Sequence, residues 1–215
     1  MRKNQYLGIA VIIAMLLAAG NLSAVSAPKK TQLTLSGGFN MFQACGKDSE
    51  YVAGENDFPV TPAYKAPELG IGLSFFTSRA FAIGLDVSYG LSAQVDLRDP
   101  SDGETIRVDT PKDLVAVLDF CKYFPLGGDM QLFVSAGGGG EYRMVTEKEY
   151  ISTLGSKIII SKPDKPFSPL AAVGIGFQYM FSDSMGLAVN CRGVYIFRDP
   201  AQVLISPALA FVLKF

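Results

Sequence analysis

The sequence predicts an all-β protein, an eight-stranded antiparallel up-and-down transmembrane β-barrel. Three observations predict this fold. Apolar residues alternate with small or polar residues in eight segments, short and long connections alternate between these segments, and the last segment ends on Phe215. An alternation of apolar and polar residues with a period of two indicates a strand, because the pattern of an amphipathic helix repeats about every 3.6 residues.

The N-terminus is typical of a secretory signal peptide. Arg2 and Lys3 give it a positive start, residues 7–19 are almost wholly apolar, and small residues surround a cleavage site expected near positions 24–27. The apolar run is shorter than the roughly 20 residues of a membrane-spanning helix, which favours a signal peptide over a membrane anchor. We therefore expect residues 1–27 to be removed and residues 28–215 to form one β-barrel domain.

Charge and cysteine content restrict the function further. Removal of residues 1–27 takes two of the 19 Lys and Arg residues and none of the 20 Asp and Glu residues. The mature chain is then mildly acidic, and we expect no nucleic-acid partner. Cys45, Cys121 and Cys191 show no spacing of a disulfide framework or a metal site, so we expect unpaired thiols, no metal and no cofactor.

The alternation is clearest from Phe81 to Leu97, where every odd-numbered residue is apolar and every even-numbered residue is small or polar. Such a long run with one uninterrupted apolar face predicts a strand with lipid on one side and the barrel lumen on the other. The same pattern predicts seven further strands, around residues 33–41, 68–75, 114–121, 130–144, 171–179, 187–197 and 209–215.

The connections between these strands fall into two groups. Three are short, at residues 77–79, 126–129 and 182–184, and the others are long and polar, at roughly 43–66, 98–112, 145–167 and 198–206. Short turns at one rim and long loops at the other are typical of outer-membrane barrels, whose short turns are periplasmic. Within the third long loop, residues 157–160 are expected to extend a hairpin above the membrane.

The last strand completes a resemblance to a known family. Leu209, Phe211, Leu213 and Phe215 place large apolar residues at alternate positions before an aromatic last residue. With the signal peptide and the alternating strands, this pattern resembles the small OmpA/OmpX-type outer-membrane β-barrels of Gram-negative bacteria. The resemblance implies contact with outer-membrane lipid and lipopolysaccharide, and recognition of these four residues as an assembly signal by the barrel-assembly machinery. It is architectural and implies no particular activity.

The absence of histidine argues against catalysis. Barrel enzymes that act on lipid acyl chains and barrel proteases resemble one another in their use of a histidine general base, and a nucleophile without such a base loses much of its advantage. The glycine run at residues 137–140 lies within a predicted strand and does not precede a helix, so it is no phosphate-binding loop. We therefore expect the protein not to be an enzyme.

The lumen-facing positions carry a predicted charge network of Asp86, Asp119, Glu141, Arg143 and Arg192, and Asp96 and Lys214 share this face. Eight strands enclose an interior just wide enough to be filled by side chains. We expect Arg192 to pair with Asp86, Asp119 or both, and Glu141 to pair with Arg143 or a neighbour. The network has two possible roles, either to satisfy buried charges or to act as an electrostatic gate in a narrow pore.

Three functions fit such a barrel. The first is a structural or surface-interaction role through extracellular loops, whose acidic residues are candidates to bind divalent cations or a partner: Glu50, Glu55, Asp57, Asp99, Asp102 and Glu104. The alternative is a narrow passive, porin-like pore for ions or small solutes. The third, an OmpW-type carrier of hydrophobic molecules, requires an apolar lumen, and the inward charges argue against it.

Overall fold

In a computed structural model, the eight predicted strands form a closed, all-antiparallel β-barrel. The structure describes residues 31–44, 63–98, 105–144, 148–151, 157–160, 166–198 and 201–215. The predicted signal peptide, Cys45 and the six acidic loop residues lie outside the described residues. No helix in the described part of the chain is long and apolar enough to cross a membrane.

The described strands are, in chain order, β1 (Thr31–Ala44), β2 (Ala63–Phe76), β3 (Phe81–Gly90), β4 (Gln94–Arg98), β5 (Thr105–Asp109), β6 (Lys112–Gly127), β7 (Met130–Met144), β8 (Lys148–Ile151), β9 (Lys157–Ile160), β10 (Phe167–Met180), β11 (Met185–Ile196) and β12 (Gln202–Lys214). Strands β4 and β5 form one separate hairpin, and β8 and β9 form another. The remaining eight strands close the barrel, with β12 paired to both β11 and β1.

The pairing registers fix the tilt of the strands. A line of directly paired residues that leaves β1 at Thr31 passes through every barrel strand and returns to β1 at Met41, ten residues further along. With ordinary strand spacings, a stagger of this size over eight strands corresponds to a tilt of about 40°. The interior of such a barrel is narrow enough for side chains to fill it.

The two rims differ as the sequence predicts. Residues 77–80, 128–129 and 181–184 make the short connections at one rim, called here the turn end, and the long connections leave the opposite rim, called the loop end. At the turn end, Gly127 and Gly128 have positive φ angles of 104° and 58°, a region that favours glycine. Both hairpins, β4–β5 and β8–β9, belong to the loop end, and the second contains the predicted extension at residues 157–160.

The predicted lipid-facing and lumen-facing phase is confirmed in all eight barrel strands. On β6, Leu118 is 49% exposed whereas its neighbour Val117 is fully buried. On β10, Ile175 and Phe177 are exposed whereas Gln178 is buried. The outer surface therefore consists of large apolar side chains that a membrane would cover.

Two predicted strand limits were wrong, and one predicted loop contains a hairpin. Strand β3 ends at Gly90, and the later part of the alternating run forms β4, which pairs with β5. The hydroxyl of Thr110 accepts a hydrogen bond from the Ala93 amide (2.8 Å), and Ser92 donates to the Thr110 carbonyl (2.7 Å). These bonds join the segment that follows β3 to the segment that precedes β6, so that the second long loop contains a hairpin.

The second wrong limit is that of the last strand, which begins at Gln202 and not near residue 209. The expected loop at residues 198–206 is shorter as a result. Pro207 lies within β12, and the β1–β12 ladder is interrupted between the pairs Gly38↔Ala208 and Met41↔Ile205. A proline has no N–H to donate to a ladder, which accounts for the break.

Candidate functional site: the barrel lumen

The lumen is the only part of the described structure where charged and polar side chains converge, and it is organised in layers. At the turn end, three inward aromatic rings pack together. The Tyr123 ring lies 5.1 Å from that of Phe76 and 5.6 Å from that of Phe133, centroid to centroid. Lys214 extends over the Phe76 ring at 5.2 Å. This turn-end cluster covers the periplasm-facing rim predicted from the short turns.

The next layer, the lower ionic cluster, consists of Asp86 on β3, Asp119 on β6 and Arg192 on β11. The Nη2 of Arg192 lies 2.9 Å from Oδ2 of Asp86 and 3.1 Å from Oδ2 of Asp119. Arg192 therefore reaches across the lumen and contacts both carboxylates, which matches the pairing expected from the sequence. Because burying a charge without a partner is costly, these contacts are required for the barrel to hold the three groups inside.

Glycines make room for the two carboxylates. Gly72 lies opposite Asp86 in the ladder, and Gly137 lies opposite Asp119. A Cβ atom built on either glycine would overlap a carboxylate oxygen of the facing aspartate. The absence of a side chain at these two positions is therefore a steric requirement of the lower ionic cluster.

An apolar layer lies between the lower ionic cluster and the loop end. It is formed by seven buried, lumen-facing residues: Val115, Val117, Leu170, Ala172, Val194, Ile196 and Leu204. They come from β6, β10, β11 and β12, so the layer extends across the barrel. Buried polar side chains lie at the same level elsewhere in the lumen: Ser88 is opposite Val115 in the ladder, and Ser206 donates a hydrogen bond to Asn40. The expectation of a lumen filled by polar and charged groups therefore holds there and in the two ionic clusters, and the apolar layer departs from it.

The upper ionic cluster closes the loop end of the lumen. Arg143 on β7 donates from Nε to Asp113 (3.0 Å) and from Nη2 to Glu141 (3.3 Å) and Gln202 (3.0 Å). Arg198, just beyond β11, also pairs with Glu141. The contact from Arg143 to Gln202 joins β7 to β12 on the far side of the barrel. Glu141 thus pairs with Arg143 as expected.

Sequence reasoning missed two members of this cluster, Asp113 and Arg198. The signal was present as two complementary strand patterns. Inward positions of β6 read Asp113, Val115, Val117, Asp119, and those of β11 read Arg192, Val194, Ile196, Arg198. In the first series, two aliphatic residues lie between two acidic residues. In the second series, two aliphatic residues lie between two basic residues. Asp119 and Arg192 of this match pair directly, whereas in the upper ionic cluster Asp113 pairs with Arg143 and Arg198 pairs with Glu141.

The remaining predicted residues lie as follows. Asp96 was expected in the lumen wall, but it belongs to β4 in the hairpin and lies opposite Arg107 in the β4–β5 register. Cys121 is buried in the lumen, Cys191 is exposed on the outer face, and both are free thiols, as expected. Among the described residues, no group of three or more His, Cys, Asp or Glu is placed to hold a metal ion.

The four residues of the predicted assembly signal lie on the outer face of β12. Leu209 and Phe215 are exposed there, and Phe211 and Leu213 are half-buried. Phe215 also closes the turn end of the barrel, because its amide and carbonyl both bond to Thr31 of β1, at 3.0 and 3.1 Å. These positions are compatible with an assembly signal, and that role stays a prediction.

The closed ring of eight strands, the apolar exterior and the filled lumen define the class: this is the fold of the small eight-stranded outer-membrane β-barrels. No protein-family model and no curated protein sequence matches the chain.

Comparison with solved structures gives the same class. Neisserial surface protein A is similar with a TM-score of 0.56 and 10% identity, covering 86% of this chain and 97% of that one. OprG, an outer-membrane protein of Pseudomonas aeruginosa, is similar with a TM-score of 0.50 and 16% identity, covering 88% and 98%. At such identities the likeness shows the shared fold alone, and a fold does not define a role.

Proposed function

We propose that the protein is an outer-membrane barrel with a closed lumen that acts at the cell surface through its loops. The observation that carries this proposal is the layered lumen. Two ionic clusters cross the interior, and the apolar layer of seven side chains lies between them.

The apolar layer makes a passive pore the weaker alternative. A hydrated ion that crosses it has to lose water beside closely packed side chains that are mostly aliphatic, and desolvation of an ion is costly. The ionic clusters then act as structural elements, since Arg143 and Arg192 are each held by more than one acceptor.

The loop end supplies the surface for interaction. Hairpins β4–β5 and β8–β9 are paired only within themselves among the described strands, so they are not part of the barrel wall. In the orientation in which the short turns are periplasmic, both hairpins lie outside the cell. Loops held by a rigid scaffold are common carriers of binding functions.

The partners in this proposal are those of a membrane barrel. Outer-membrane lipid and lipopolysaccharide contact the apolar exterior, and the barrel-assembly machinery recognises the last strand during biogenesis. The proposal includes no cofactor and no catalytic step.

Conductance measurements test the closed lumen. The protein reconstituted in planar bilayers is expected to show no stepwise conductance, and Arg192→Ala is expected to show none either, because the apolar layer remains. A variant that replaces the layer, Ile196→Ser with Leu204→Ser, serves as the positive control for insertion. Stepwise conductance in the wild type that changes in Arg192→Ala would instead support the electrostatic gate.

Epitope display tests the orientation. A short tag inserted after Gly103 in the loop between β4 and β5 is expected to bind antibody on intact cells. The same tag inserted after Asp183 in a short turn is expected to bind antibody only after the outer membrane is permeabilised. Binding to the Asp183 tag on intact cells would contradict the proposed orientation.

A further inference from the structure

The lumen contains a cavity that the closed-barrel proposal does not use. Its volume is ≈ 50 Å³, and it lies at the level of the lower ionic cluster, next to Tyr123 and Phe133 of the turn-end cluster. Oxygen-bearing side chains line much of it: Gln32, Thr34, Ser74, Asp86, Asp119 and Asn190. Oxygen atoms are the ligands that hard cations prefer in proteins.

The cavity is surrounded by more negative than positive charge. Two carboxylates, Asp86 and Asp119, share the single guanidinium of Arg192, and both contacts are made by the same nitrogen. Glu68 of β2 also lies near enough for its charge to act on Arg192. With the two aspartates ionised, the three-residue cluster has one negative charge in excess inside the lumen, where Asp119 is 1% exposed, and such a charge is costly without a counter-ion.

An independent observation comes from buried acceptors without donors. Gln32 is 4% exposed and Asp119 is 1% exposed, and both line the cavity. In the described structure, Oε1 of Gln32 and Oδ1 of Asp119 have no hydrogen-bond partner. The amide nitrogen of Gln32 is engaged with Thr34 Oγ1 at 3.4 Å, which leaves its oxygen for another ligand. Buried acceptors of this kind are satisfied by a donor or by a cation.

We propose that this cavity binds one monovalent alkali cation, Na⁺ or K⁺. A single positive charge balances the excess carboxylate, and amide and hydroxyl oxygens supply neutral ligands. A divalent ion fits less well because the described residues hold no group of three acidic, cysteine or histidine ligands. The cation is then a structural component that completes the lower ionic cluster.

The direct test is ²³Na NMR on the folded protein in detergent micelles. Wild-type protein is expected to broaden the ²³Na line saturably, and added K⁺ is expected to reverse the broadening. In Asp86→Asn, which keeps the Asp119–Arg192 pair, apparent affinity is expected to fall about ten-fold or more, the equivalent of one charge-assisted contact. Asp129→Asn, which removes a carboxylate in a turn, is the matched control and is expected to behave as the wild type.

Three results would overturn the proposal: no excess broadening over micelles alone, equal broadening by wild type and Asp86→Asn, or an equal loss in Asp129→Asn. The first would mean that a proton or water satisfies the cluster. Thr34→Val, an uncharged change of similar shape at another lining residue, provides a second variant in case Asp86→Asn does not fold. Binding by Thr34→Val as strong as in the wild type would place the ion outside the cavity.

Discussion

At the scale of single residues, the lumen shows how glycine positions are determined by their neighbours across the ladder. Gly72 and Gly37 are glycines on adjacent strands, yet they face opposite sides of the wall. Beside Gly72 lies the carboxylate of Asp86, whereas an added Cβ at Gly37 would have its nearest neighbour, Leu69, at 3.8 Å, an ordinary contact. Only the inward glycine is therefore required sterically.

This contrast gives the first prediction. Gly72→Ala is expected to displace Asp86 from Arg192 and to lower the free energy of unfolding by roughly 1–3 kcal/mol, as overpacking does. Gly37→Ala is expected to change it little. Urea unfolding of the barrel in lipid vesicles measures both variants, and equal losses would show that the lower ionic cluster does not depend on Gly72.

Residue identity and parity made the lower ionic cluster predictable, and also the Glu141–Arg143 pair of the upper one. Asp113 shares the inward parity of Asp119, but it lies at the strand end, where alternation alone does not show whether a side chain enters the lumen. Arg198 lies beyond the last residue of β11 and was assigned to a loop. Its contact with Glu141 depends on how far the barrel staggers, which a single strand does not reveal.

At the scale of elements, the sequence predicted which residues of each strand face inward and which face outward, but it did not predict the lengths of all the strands. The alternation of apolar and polar residues continues without interruption where a strand changes its pairing partner and where it contains a proline. For this reason the alternation from Phe81 to Leu97 did not show that the chain leaves β2 and β6 after Gly90 to form a hairpin. Likewise Val203 and Ile205 keep the outward phase of β12, although the sequence prediction placed the start of this strand only near residue 209.

The phase itself is testable on β10. Val173 is 46% exposed near the middle of this strand, and Phe167 is 62% exposed at its loop end on the same face. Val173→Arg is expected to cost roughly 2–4 kcal/mol, because an arginine at the bilayer midplane is poorly solvated, whereas Phe167→Arg near the interface is expected to cost about 0–1 kcal/mol. Unfolding in vesicles measures both, and equal costs would contradict the assigned membrane depth.

At the scale of the whole molecule, closure follows from the two terminal strands. Strands β1 and β12 pair along most of their length, and the last bonds of the ladder join Thr31 to Phe215. Closure removes both sheet edges, which otherwise would present unpaired backbone groups and apolar side chains to other chains. The order of the layers in the lumen depends on this closure, because Arg192 of β11 contacts Asp86 of β3, which lies directly across the closed barrel.

The terminal residue allows stability and assembly to be separated. Phe215 and Phe181 are both exposed aromatic residues at the turn end, 64% and 49% exposed, but only Phe215 belongs to the predicted assembly signal. Since neither ring is buried, Phe215→Ala and Phe181→Ala are each expected to lower the stability of the refolded barrel by less than about 1 kcal/mol. In cells, Phe215→Ala is expected to reduce the amount of folded protein in the outer membrane several-fold relative to Phe181→Ala, because only Phe215 belongs to the predicted assembly signal. Quantitative immunoblots of outer-membrane fractions make the comparison, and equal levels of the two variants would mean that Phe215 contributes to closure without serving as a signal.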